Sequence, residues 1–127
     1  MKLLDFIRRR DGSTSLEFAM VGPMFIGIMM AIFQGGMLLW TQLGMEHAVE
    51  SAARCSAVNS STCGTPSQIQ GYAATQAYGL SLPASVFSFS QTSCGNVVSA
   101  SYSYSVFSRV FGKASIPLNA QACFPAC

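Results

Sequence analysis

Between Glu17 and Glu46 lie 28 residues without an ionisable side chain. Within them Phe18 to Trp40 reads FAMVGPMFIGIMMAIFQGGMLLW, 23 residues, and about 20 suffice to carry a helix through the hydrocarbon of a bilayer. Such a run restricts the chain to a membrane helix, with a helix buried in a soluble core as the alternative. The apolar region of a signal peptide is normally only about 7–15 residues and ends in a small-residue cleavage box. This run is longer, and no good A-x-A site follows it.

Charge placement gives the direction of insertion. Lys2, Arg8, Arg9 and Arg10 stand against Asp5 and Asp11 in the first 11 residues, so the net +2 of the whole chain resides there. Beyond them Glu17, Glu46 and Glu50 balance Arg54, Arg109 and Lys113. A basic leader before the apolar run predicts a cytoplasmic N-terminus and an exported remainder. It is not the basic face of a nucleic-acid-binding module. Cys55, Cys63, Cys94, Cys123 and Cys127 all fall on the exported side, where disulfides form and persist. No C-x-x-C pair occurs and His47 is the single histidine, which gives no zinc-site pattern.

The helical period continues past Trp40. In TQLGMEHAVESAARCSAV, Met45, Ala48, Val49, Ala52 and Ala53 recur at helical spacing, with Glu46, Glu50 and Arg54 on another face. One helix over about 13–58 is expected, transmembrane over about 18–40 and an amphipathic stalk beyond, ended by Asn59-Ser60-Ser61-Thr62. Gly22-Pro23 is expected to loosen or break it, because proline has no N–H for the carbonyl of Ala19. Gly27, Ala31 and Gly35 form a small-xxx-small stripe that suits close helix packing; glycine is also simply commoner in membrane helices.

Thr65-Pro66-Ser67-Gln68 has the residues of a capping box with proline at the first helical position. A short helix over about 66–78 follows, with Gly79 as its cap. The period then becomes two. Phe87 and Phe89 alternate with serines in 85–91, residues 98–106 alternate Val, Ala, Tyr, Tyr, Val with serine, and 115–122 alternate Ile116, Leu118, Ala120 and Ala122 with polar or proline partners. Alternation marks strands with one buried and one wet face. The expected head (59–127) is therefore one short helix on a three-stranded antiparallel meander, serine outward. Its sheet needs a further apolar surface, which the Met45/Val49/Ala52 stripe can supply. The fold class is α+β, a long N-terminal helix packed on a small head. Cys55–Cys63 and Cys94–Cys123 are the favoured disulfides, with Cys127 odd or replacing Cys123.

Catalysis needs a nucleophile with a base, an acid–base pair or a metal. After Glu50 the chain has no aspartate, glutamate or histidine, so no catalytic, cofactor-binding or metal site and no small-molecule substrate is expected. Glu17 is the residue left to explain. A cut after Gly12 would remove the leader and create an α-ammonium on Ser13 at the start of an apolar helix. Glu17 of an adjacent subunit could neutralise that amine.

RRRDGSTSLEFAMVGPMF resembles the N-terminus of TadE-like pseudopilins of the tight-adherence (Tad/Flp) pilus machinery, relatives of type IV pilins. Gly12, Glu17, Phe18 and Pro23 occupy the family's glycine, glutamate, aromatic and early proline, and EHAVESAARCSAV is similar to its alanine-rich stretch. The resemblance implies a pilin-like long helix and cleavage between Gly12 and Ser13 by a prepilin peptidase. It implies assembly through Glu17 and Phe18 with a TadF-like minor pilin, the Flp major pilin and an inner-membrane assembly platform. The protein would be a minor subunit of a bacterial inner membrane, head outward, assembling, initiating or capping an adhesive pilus. The alternative is an unprocessed single-pass anchor carrying an extracytoplasmic interaction head.

Overall fold

A computed structural model describes residues 12–106 and 114–126. The leader 1–11, Arg109 and Lys113 at the expected hairpin tip, and Cys127 lie outside the described residues. Helix α1 runs Ser13–Val58, helix α2 Pro66–Thr75, and strands β1 Phe87–Thr92, β2 Gly95–Ser105 and β3 Ser115–Phe124 form one antiparallel sheet in the order β1-β2-β3. The fold is α+β. The chain divides into two compact units, Met1–Gly35 and Gly36–Cys127.

In the first unit the described residues are helical and unpacked. An 18-residue apolar window of α1 has none of its length buried, and by length and composition the helix can cross a membrane. Gly22 and Pro23 do not break it: α1 is continuous through Pro23. Proline at this point removes one backbone bond to the Ala19 carbonyl, while the turns on either side keep theirs.

The second unit owes its core to residues far apart in sequence. Met45, Ala48, Val49, Ala52 and Ala53 of α1 are buried in one cluster with Ile69 and Ala73 of α2 and with Phe87, Val98, Ala100, Leu118 and Ala120 of the sheet. The stalk half of α1 thus supplies the apolar surface the sheet lacks. That is why the division falls at Gly35–Gly36 and not at the end of the helix. Gln42 Nε2 donates to the Asn119 carbonyl of β3 at 3.0 Å, and His47 Nδ1 donates to the Gln76 carbonyl at 3.0 Å. At Gly44 the helix comes so close to the segment after α2 that an added Cβ would stand 2.7 Å from Leu80 Cδ1 and 3.2 Å from the Ala77 carbonyl oxygen.

Local signals explain the element ends. After α1, Asn59 Oδ1 accepts from Ser61 Oγ at 2.6 Å and from the Thr62 N–H at 3.3 Å, which turns the chain. The capping box forms in full: the Gln68 N–H donates to Thr65 Oγ1 at 3.4 Å and the Thr65 N–H to Gln68 Oε1 at 3.1 Å. Helix α2 ends at Thr75, short of the expected 78, with Gln76 as its C-cap. Tyr78 and Gly79 both take positive φ there, 48° and 75°, and so belong to a turn beyond the helix. Pro83 opens a 3-10 turn over Ala84–Val86, which starts β1 at Phe87, two residues later than the alternation predicts.

The register places Phe87, Ala100 and Ala120 side by side on the core face, and Ser88, Ser99 and Gln121 on the other. Ser88 and Ser99 hydroxyls bridge the strands at 2.9 Å. Val97 is an exception to the wet serine face: it is buried, opposite Cys123.

Two disulfides close the head. Cys55 at the end of α1 bonds Cys63, with Cα atoms 5.8 Å apart, and Cys94 of the β1–β2 turn bonds Cys123 of β3, with Cα atoms 6.5 Å apart. They span 8 and 29 residues respectively. Chain-entropy arithmetic gives about 2.5 kcal/mol for the shorter loop and about 3.5 kcal/mol for the longer. The Cys94→Ser/Cys123→Ser double variant is therefore expected to lose about 1 kcal/mol more stability than Cys55→Ser/Cys63→Ser. Denaturant midpoints in detergent, followed by near-UV circular dichroism, test the order; a reversed order would refute the loop-length account.

Candidate functional site

Residues 12–35 carry most of the predicted site. Ser13 is the first residue of α1 and Gly12 immediately precedes it. Both are exposed, as are Glu17 and Phe18, the latter to 78%. From Gly12 to Met45, Glu17 is the single ionisable side chain. Its charge consequently has no counter-charge among the described residues 12–35 of the unit.

Gly27, Ala31 and Gly35 recur every four residues and are all exposed, and a Cβ built on Gly27 or Gly35 meets nothing within 4 Å. The stripe is thus uncovered. Nothing in the structure brings these residues into contact with one another beyond the helix itself; they are distributed along one element rather than gathered in a pocket.

The head offers a different kind of surface. A shallow depression on the serine face is lined by Ser88, Ser99, Ser101, Asn119 and Gln121, among others. Another lies beside the first disulfide, between Arg54, Cys55, Asn59 and Tyr72. Neither holds a carboxylate or a histidine, so neither has a group to activate a hydroxyl. Among the described residues no group of three His, Cys, Asp or Glu side chains is placed to hold a metal.

Two positions escaped the sequence reading. Gly44 has no signal beyond its place among the buried positions Thr41, Met45 and Ala48 of α1. Tyr78 precedes a glycine just after a helix, a pattern that points to a turn but not to the aromatic stacking found there.

One comparison bears on the exposed segment. Residues 12–54 match the family of TadE-like proteins. The match starts at Gly12, one residue before α1, and ends inside that helix, so it covers roughly a third of the 127-residue chain. The TadE-like segment includes Glu17, Phe18, Pro23 and the small-residue stripe, together with the core-forming Met45, Val49 and Ala52. The α2 and sheet portion lies outside the match. Neither a curated protein nor a solved structure matches the chain.

Proposed function

We propose that this chain is a minor pseudopilin of a Tad/Flp pilus, inserted in the inner membrane through α1 with its head outside. A prepilin peptidase removes residues 1–12, and the new Ser13 amine pairs with Glu17 of a neighbouring subunit. The observation that carries this reading is a coincidence of boundaries: the TadE-like match starts at Gly12, and α1 starts at Ser13 with its apolar half bare. The lack of a counter-charge for Glu17 among the described residues 12–35 supports it further. In low dielectric an ammonium beside that carboxylate is far more favourable than either charge alone.

In this reading the leader sets orientation and is then discarded. The Gly27/Ala31/Gly35 stripe packs against the helix of another pilus subunit, the Flp major pilin or a TadF-like minor pilin, at the assembly platform. The head has a non-enzymatic role at the end or base of the filament, in adherence.

The test is N-terminal sequencing of the protein purified from cells with and without a prepilin peptidase. Mature protein is expected to begin at Ser13 with the enzyme and at Met1 without it. A chain that begins at Met1 in both backgrounds would instead be an unprocessed anchor with an interaction head.

A further inference from the structure

Tyr78 is held in a conformation that its side chain disfavours. Ala77, Tyr78, Gly79 and Leu80 form a tight turn closed by the Leu80 N–H on the Ala77 carbonyl at 3.0 Å. Both central residues have positive φ, at 48° and 75°. Turns of this kind ordinarily place Asn, Asp or Gly first. A tyrosine there strains the backbone, and strain of this sort persists where the surroundings over-determine it, often at sites of recognition. The surroundings do so here. The Tyr78 ring stacks on His47, with centroids 4.5 Å apart and planes at 24°, and His47 is itself pinned by its bond to the Gln76 carbonyl.

The ring so fixed is not buried. Tyr78 is 51% exposed and stands 6.0 Å, centroid to centroid, from Trp40, which is 53% exposed. Leu43, a turn further along α1, is 58% exposed. Trp40 ends the 23-residue apolar run. An exposed Trp–Tyr pair at the end of a membrane span has the composition of an interfacial aromatic belt, in which amphipathic rings settle at headgroup level. Tyr78 comes from a different element, so the pair links the head to that level through two separate parts of the chain.

We propose that Tyr78 and Trp40 together dock the head on the outer surface of the bilayer, their rings lying in the phospholipid headgroup and glycerol layer. The proposal rests on α1 entering a membrane as proposed above. The argument for lipid as the occupant is continuity: the patch begins where the membrane run stops, and Trp40, Leu43 and Tyr78 bring no charge to it.

Trp40 is the single tryptophan, which permits a direct measurement. Full-length protein carrying Trp40→Phe and Tyr78→Trp is reconstituted in phosphatidylethanolamine/phosphatidylglycerol vesicles containing phosphatidylcholine brominated near the carbonyl or deep in the chain. The indole at position 78 is expected to be quenched at least twofold more by the shallow bromines than by the deep ones. Quenching by acrylamide alone, or by deep bromines foremost, would overturn the docking. So would shielding from both that arises only at high protein-to-lipid ratio, which would assign the patch to a second subunit. Unsubstituted Trp40 is the control: if no bromine quenches it, the membrane reading itself has failed, and not merely the docking.

Tyr78→Asn separates docking from structural support. It relieves the turn and is expected to leave the detergent unfolding temperature unchanged or raised, while Trp40 in vesicles becomes about twice as accessible to acrylamide. A lowered unfolding temperature with unchanged Trp40 accessibility would make Tyr78 a structural cover and end the proposal.

Discussion

Gly12→Ala is expected to leave the leader on the protein, so that the chain accumulates in the membrane about a dozen residues heavier than the mature form and produces no pilus. A peptidase that cuts after a glycine at the membrane edge must bring a scissile carbonyl close to its own groups, and a methyl at that position obstructs the approach. Glu17→Ala is expected to behave differently. Its side chain lies past the proposed cut, so processing and insertion proceed, whereas the Ser13 amine has no carboxylate to meet and assembly fails. The two variants therefore separate maturation from assembly. Mass spectrometry of the membrane fraction reads the first, and electron microscopy of sheared filaments reads the second. Normal piliation in both would remove the proposed ion pair from consideration, and retained leader in Glu17→Ala would move the glutamate into peptidase recognition.

The second large effect lies at Gly95. It opens β2 at φ 133°, directly after the two-residue Ser93-Cys94 turn. A Cβ there would collide with the Phe124 carbonyl oxygen and would stand 2.7 Å from Pro125 Cα and 2.8 Å from Ala126 N. All of these are backbone atoms, held by the β2–β3 ladder and the neighbouring Cys94–Cys123 bond. They cannot move aside as a side chain would. Gly95→Ala is therefore expected to cost about 3 kcal/mol or more, the sum of a disfavoured φ and a clash. A single core of this size rarely contributes more than about 3–5 kcal/mol, so the variant head should be largely unfolded. Limited proteolysis of the detergent-solubilised protein gives the result: a head as resistant as the unsubstituted one would mean that the β3 end can shift.

Much of the fold was legible in the sequence because its signals are local. A charge-free run fixes a helix by length, the Thr65–Gln68 box fixes the start of α2, serine alternation fixes β2, and alternation with polar or proline partners fixes β3. What failed to read were element boundaries set by turn geometry and one burial set by a distant contact. Pro83 and the turn at Tyr78-Gly79 shortened α2 and delayed β1, because turn geometry overrode continued helical and alternating patterns. Gly22-Pro23 looked like a break, yet one absent hydrogen bond does not interrupt a helix whose other bonds remain. The burial of Val97 on the serine face depends on its position opposite Cys123, which only the register reveals. At the candidate site, Gly12, Glu17 and Phe18 stood out as residue types in an unusual place. The strained Tyr78 did not, since a positive φ at tyrosine leaves no trace in composition.

The Gln42–Asn119 hydrogen bond joins residues 77 positions apart, and the core around it has the same long reach. In the proposed topology the chain emerges outside from its stalk onward, so Met45 and Val49 appear early and wait, uncovered, for Leu118 and Ala120 on the last strand. Contacts of such separation form slowly. For that interval the nascent head is a sticky, half-built object, and a translation product stopped before β3 never leaves that state. Completion of the final strand thus acts as a clock: in the proposed topology the head closes its core only after β3 has crossed the membrane.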